Sequence, residues 1–296
     1  MASTRKSERA RAADASLRAV LDSVRARADL TARRASDPVS VVHRYADPRD
    51  RELVGLLAAS VAFGNVKTIL AKLEDLLARI GPNPSRAAAT PEARDKLMIR
   101  LRGWKHRVFL GEDLARLLAG ASAVQRANGT LGQYFAAQLA EHGEIRPALA
   151  AFCDAIREAG GLYSRTRRGP AHLLPDPRGS SGVKRLLLYL RWMIRPDDGI
   201  DLGIWPIDPS HLLMPVDTHI HKLSRNLGLT REPRLTWRAT EEITASLSRL
   251  DPHDPTKYDF SLCHLGMLQR CPSRRDPVRC EGCGVMPVCR HWARAR

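Results

Sequence analysis

Lys184 follows the run Gly179-Ser180-Ser181-Gly182 and opens the strongly apolar stretch VKRLLLYLRWMI. Glycines ahead of a helix N-terminus leave backbone N–H groups able to grip a phosphate. Gly179, Ser180, Ser181, Gly182 and Arg185 therefore read as phosphate-binding positions. A lysine set against apolar packing and beside Arg185 is expected to have a lowered pKa, and its neutral amine is a nucleophile able to form a Schiff base. A phosphate-binding lysine without chemistry is the alternative. The second residue is Asp217, in LLMPVDTHIHKLSRNLGL, where an apolar run and a proline precede a helical pattern that closes on Gly228. An ordinary N-cap accounts for it. A carboxylate at a helix start also stays ionised, and it can stabilise a developing cation or take a proton from a nearby amine. His219 and His221, two apart, do not share a helix face and make no metal pair.

The third constellation is CPSRRDPVRCEGCGVMPVC, which carries Cys271, Cys280, Cys283 and Cys289 near the C-terminus. Four clustered thiolates favour a [4Fe–4S] cluster or a structural zinc over disulfides. Arg274, Arg275 and Arg279 lie in the loop between the first two, and a metal-pinned basic loop is a good phosphate anchor. The remaining cysteines, Cys153 and Cys263, fall inside helical patterns and read as core.

The elements that must position these groups are helices. Ile69, Leu73, Leu76, Leu77 and Ile80 recur at helical spacing over 66–82, and Gly81-Pro82 stops the run. Residues 50–64 open with acids and close on Gly64. Residues 147–161 open with proline and close on glycine, and 235–250 offer Thr236 as an N-cap. No alternating β pattern and no repeat is evident. The fold class is all-α, with ten or more helices. Two irregular stretches, 160–182 and 195–211, flank the short helix 183–194, an arrangement that is usually functional.

The chain has 296 residues and a formal net charge of +16, carried chiefly by arginine. Arginine forks onto phosphate, so the balance favours a polyanion partner, most simply nucleic acid. No apolar run approaches the roughly 20 residues that span a bilayer. The N-terminus is Arg-rich but contains Glu8 and Asp14, which argues against a transit peptide; it reads as a ragged tail entering a helix in a cytoplasmic, nucleoid-associated protein.

With these residues in view, PVDTHIHKLSRNLGL resembles the segment of the endonuclease III superfamily that carries its catalytic aspartate. These are helix-hairpin-helix base-excision DNA glycosylases. GSSGVKRL stands at their Gly-x-Gly-x-Lys hairpin, although Ser180-Ser181 replaces the regular pattern. Iron–sulfur members end in four cysteines. GVKRLLLYLRWMIR, DLGIW and KYDFSLCHLG are similar to a bacterial branch long described as a domain of unknown function, some members of which resemble 8-oxoguanine glycosylases. The resemblance implies a bifunctional DNA glycosylase and abasic-site lyase. Lys184 would be its nucleophile, Asp217 its assisting carboxylate, and damaged double-stranded DNA its partner, with the protein a monomer. Oxidised pyrimidine is the alternative substrate, and a non-catalytic nucleic-acid-binding protein with a four-cysteine metal site is the alternative class. The implied architecture is two helical lobes with Lys184 and Asp217 facing across a cleft. Residues 50–200 would form a barrel lobe that includes the hairpin 175–194. Residues 201–296 would form the other lobe, joined by 1–49. Phe63 or Asn65 would fill the gap left by the extruded base, and Trp104, His106, Arg107 or Trp205 would contact that base.

Overall fold

A computed structural model of the chain describes residues 2–293. Among the described residues nearly all regular structure is helical, as the periodicity requires. The exception is a small antiparallel ladder that pairs Lys105 with Leu110 and His106 with Phe109. Strands this short carry no alternation for a sequence reading to find. Helix ends follow the expected caps. Asn65 accepts from the Lys67 and Thr68 N–H groups at the start of Val66–Ile80, and Gly81 ends that helix with positive φ. Thr236 accepts from Ala239 N at the start of Trp237–Ser248. At the N-terminus, helix already runs over Ala2–Ala26. No helix of the described residues is long and apolar enough to cross a membrane.

The chain divides into two compact units: Met1–Asp29, Ser180–Lys184 and Leu212–Arg296 form one, and Leu30–Gly179 with Arg185–His211 form the other. The segment expected to join the C-terminal part as 1–49 is thus divided at Asp29. Residues beyond it follow their buried side chains: Val39, Val41 and Val42 are fully buried, and Pro38–Arg44 packs on the Pro48–Val61 helix.

In the smaller unit, Ile220, Leu223 and Leu227 on one face of Thr218–Leu227 meet Ile243 and Leu247 of Trp237–Ser248, with Leu21 and Leu262 in the same core. Polar ties hold the N-terminal helix in this unit. Tyr258 donates to Asp22 at 2.7 Å, and Arg249 pairs with Asp14 at 3.2 Å.

The larger unit is built around two nearly all-buried helices, Pro48–Val61 and the stretch of Lys184–Ile194 that begins at Arg185. Helices apolar on every side belong in a core. Phe135, Phe152, Tyr189 and Trp205 pack edge-on or stacked beside them, with Trp205 centroids 5.6 Å from Phe135 and 5.3 Å from Tyr189. Gly132 makes room for the Trp205 indole: a Cβ there would lie 2.5 Å from it. The acidic stretch 195–211 is not a loose loop. Leu202 N and Trp205 N donate to the Trp192 and Met193 carbonyls at 2.7 and 2.9 Å, and fully buried Asp201 pairs with Arg191 at 3.1 Å and with Arg195.

Candidate active site in the smaller unit

The turn before Lys184 is pinned rather than mobile. Ser180 O accepts from Trp237 N at 2.9 Å, which satisfies one of the donors that a helix start leaves without an intrahelical partner. Gly182 lies against the same helix, and a Cβ there would stand 2.9 Å from Thr240 Oγ1. Val183 holds φ at +37° with its side chain buried. A β-branched residue in that region is a backbone outlier, and such strain persists only where the surroundings impose it, commonly at functional sites. Gly179, Ser180 and Ser181 are exposed. The chain therefore enters the Lys184 helix along a fixed path.

Lys184 Nζ stands 3.5 Å from Asp217 Oδ2, with the side chains 30% and 21% exposed. Both residues belong to the smaller unit. The two oxygens of Asp217 have separate duties. Oδ1 accepts from His219 N at 2.9 Å and Ile220 N at 2.8 Å as the N-cap of Thr218–Leu227; Oδ2 faces the lysine. Cys263 Sγ also points to Oδ2 at 3.7 Å. Burial raises the Asp217 carboxyl, but the Lys184 charge and the two helix N–H groups outweigh it and hold the group below its ordinary value of 3.8. Its charge therefore persists through neutral pH, and the stability it adds is lost only as pH falls through the folded value. A carboxylate in that state is a poor acceptor for a lysine proton and a strong stabiliser of a neighbouring cation. The cap reading of Asp217 thus holds for Oδ1, and Oδ2 is left facing Lys184.

Those duties are separable. Asn is as good an N-cap as Asp, so Asp217→Asn should unfold within about 1 kcal/mol of the wild type. Removing the charge facing Lys184 should slow any reaction that builds a cation there by about 10²–10³-fold, the usual worth of one preorganised electrostatic group. Denaturant unfolding beside single-turnover kinetics reads both; parallel loss of stability and rate would leave Asp217 only a cap.

The four C-terminal cysteines line one small cavity of about 20 Å³ with Leu223, Val285 and Trp292. Burial raises the thiols of Cys271, Cys283 and Cys289. It is opposed by Asn226 at Cys271, by the Val285 and Met286 N–H groups at Cys283, and by those of His291 and Trp292 at Cys289. Asn226 Nδ2 donates to Cys271 Sγ at 3.3 Å. Trp292 Nε1 and His291 Nε2 are buried in the same wall without a hydrogen-bond partner among the described residues. Burial outweighs these donors, so the three thiols sit above their ordinary range. No three His, Cys, Asp or Glu side chains among the described residues are arranged to hold a single metal ion. Arg274, Arg275 and Arg279 are exposed; Arg275 lies over the Trp292 ring at 4.1 Å, and Arg279 pairs with Asp276 at 3.5 Å.

Several expected contact residues do other work, all in the larger unit. Arg185 is no phosphate ligand: it is 9% exposed, donates to the Ser60 and His172 carbonyls, and is held to about 10 by burial. Trp205 is core, its Nε1 donating to Glu52 at 2.7 Å. Trp104 is also core, its Nε1 donating to Lys72 O at 3.2 Å. His106 is buried and held low by that burial. Phe63 is half-buried in a nest of rings, 5.3 Å from Phe109 and 5.0 Å from His172. Asn65 serves as a helix cap. Of the expected base-contacting group only Arg107 is exposed, its guanidinium over the Phe63 ring at 5.0 Å. Cys263, taken for a core residue, borders the Lys184–Asp217 pair. Cys153 is buried, and burial pushes its thiol up to about 12.

No curated protein matches the chain, and no solved structure matches it. The family model that does match, over residues 37–268, is described as "protein of unknown function (DUF2400)". The matched stretch takes in Lys184, Asp217 and Cys263 and ends before Cys271. The resemblance to the endonuclease III superfamily is corrected by this match, since no helix-hairpin-helix glycosylase family was found. Short motifs around one lysine, one aspartate and the four C-terminal cysteines carried that resemblance, whereas the family match extends over most of the chain. The chain belongs to the DUF2400 family.

Proposed function

We propose that the protein is a bifunctional DNA N-glycosylase and abasic-site lyase whose nucleophile is Lys184. The observation that carries the reading is the 3.5 Å approach of Lys184 Nζ to the one Asp217 oxygen not engaged by the helix start. A damaged base must leave the duplex stack before its sugar can be reached. Lys184 first loses a proton to solvent; its lone pair then forms a bond to C1′ as the C1′–N glycosidic bond breaks, and the base departs with the electron pair and gains a proton. The amine gives up protons to solvent, the sugar ring opens at O4′, and an imine to Lys184 results. Loss of a C2′ proton expels the 3′ phosphate by β-elimination, and water releases the sugar from the lysine. Ionised Asp217 stabilises the positive charge at C1′ during the first step. The net charge of +16 supports a polyanionic substrate.

In this reading the pinned turn Gly179–Val183 is the hairpin of a helix-hairpin-helix element that grips a phosphate, and the cysteine loop with Arg274, Arg275 and Arg279 grips another. Cys271, Cys280, Cys283 and Cys289 would hold a [4Fe–4S] cluster, which supplies a structural brace for that loop. Protein purified without oxygen should be brown and contain iron. Colourless protein containing zinc would replace the cluster with a structural zinc site and leave the lysine chemistry in place.

Borohydride trapping tests the reaction. The protein is mixed with duplexes carrying 8-oxoguanine opposite cytosine, thymine glycol or uracil, and reduced imine is sought as a covalent complex. Oxidised purine is the expected substrate, so the first duplex should be trapped. Trapping of thymine glycol alone would keep the mechanism and change the base. DNA binding with no trapping on any lesion would remove the lyase.

A further inference from the structure

A second cavity in the smaller unit, about 410 Å³, opens on the face of Thr218–Leu227 that begins one residue past Asp217. Its helical wall carries Thr218, His221, Lys222 and Arg225, spaced so that they share that face. Arg290 and Ser273 close it from the cysteine segment, and Pro233 and Leu235 form its apolar side. Lys222, Arg225 and Arg290 are all exposed. No carboxylate lines the cavity among the described residues. The carboxylates next in sequence to lining residues have other partners: Asp217 faces Lys184, and Glu232 pairs with Arg238 at 3.0 Å.

Three like charges around one cavity repel one another, and no protein anion in its wall offsets them. The chain also makes room for the third. Gly228 ends the helix with φ +81°, and a Cβ there would fall 2.3 Å from Arg290 Nη2. Glycine at that point thus permits both the left-handed cap and the seat of the guanidinium. The volume lies within the range of small-ligand sites, about 300–1,000 Å³.

We propose that this cavity is a phosphate-binding pocket in which Lys222, Arg225 and Arg290 grip a phosphoryl group, with Thr218 and Ser273 as hydroxyl partners. Arginine forks onto two phosphate oxygens, and lysine adds a point charge. The apolar side formed by Pro233 and Leu235 suits the organic part of a phosphate ester, so the ligand class is a nucleotide, either free or as a phosphodiester of DNA. The pocket does not depend on the lysine chemistry proposed above.

The test compares wild type with Lys222→Gln/Arg225→Gln and with Arg290→Gln. The control is Arg86→Gln/Lys96→Gln, which removes two exposed charges elsewhere. Pyrophosphate binding is measured by calorimetry at low salt, and undamaged duplex binding by fluorescence anisotropy over a range of salt. Pocket variants should bind pyrophosphate at least tenfold more weakly, with the control unchanged. If the phosphate belongs to DNA, the double variant also loses duplex affinity and its log–log salt slope shrinks by about 0.9, the share of one phosphate contact. If duplex binding matches the control while pyrophosphate binding falls, the ligand is a free nucleotide. Unchanged pyrophosphate binding, or equal loss in the control, overturns the proposal. Pyrophosphate binding by a protein that traps no lesion removes the lyase and leaves the pocket standing.

Discussion

Lys184→Gln should form no borohydride-trapped complex with any lesion duplex, and strand cleavage by this variant should fall to background. A glutamine amide cannot form an imine, so the covalent step is lost outright rather than slowed. Base release should fall by at least about 10²-fold, the lower end of what a positioned catalytic group contributes. Any residue of it would report attack by water and would leave abasic sites uncut. The variant is one atom shorter and neutral but keeps a polar tip, and Lys184 is 30% exposed in a part-exposed ion pair. Its stability should therefore change by no more than about 1 kcal/mol. Unfolding curves and duplex affinity close to wild type, together with absent trapping, would assign the chemistry to this amine. Trapping that survives at the wild-type level would remove Lys184 as the nucleophile and point to another amine.

How much of this was legible in sequence depended on whether a residue's duty was local. Asp217 declared itself because a cap needs only the helix that follows it, and Gly228 marked that helix's end. Lys184 declared itself through the small residues before it and the apolar run after it. The pairing of the two joins residues far apart in the chain and rested on resemblance alone until the 3.5 Å contact placed them together. Arg185 was misread for the converse reason. Its neighbour is a candidate nucleophile, but one residue along a helix turns the side chain toward the interior, where Ser60 and His172 accept from it. Trp104 and Trp205 were expected at the base on resemblance. Their indole N–H groups are satisfied by Lys72 O and Glu52, partners that no local pattern announces. Cys263 reached Asp217 in the same non-local way. The phosphate pocket was invisible because its cations come from a helix and from the cysteine segment.

Glu52 went unremarked in sequence, yet its replacement should have the largest effect on stability. It sits on the buried Pro48–Val61 helix, 2% exposed. Oε1 accepts from Gly132 N at 2.9 Å and Trp205 Nε1 at 2.7 Å; Oε2 accepts from Leu131 N at 2.9 Å and Gln125 Nε2 at 2.7 Å. Two of those donors are the first N–H groups of Leu131–His142, where a negative charge is favoured. One side chain thus joins three helices and the Trp205 stretch inside the larger unit. Glu52→Ala would leave four buried donors without an acceptor and open a void beside the indole. The expected loss is about 3–5 kcal/mol, the range for removing one partner of a buried charged network. Glu52→Gln keeps the volume but turns an NH₂ toward two donors, so it should lose about 1–3 kcal/mol. The order Ala worse than Gln worse than wild type, read from urea midpoints at unchanged slope, follows from the four contacts together. An alanine variant within about 1 kcal/mol of wild type would mean that packing around Trp205, rather than the carboxylate, holds these elements in register. The chain would then have placed an acid in its core without structural need.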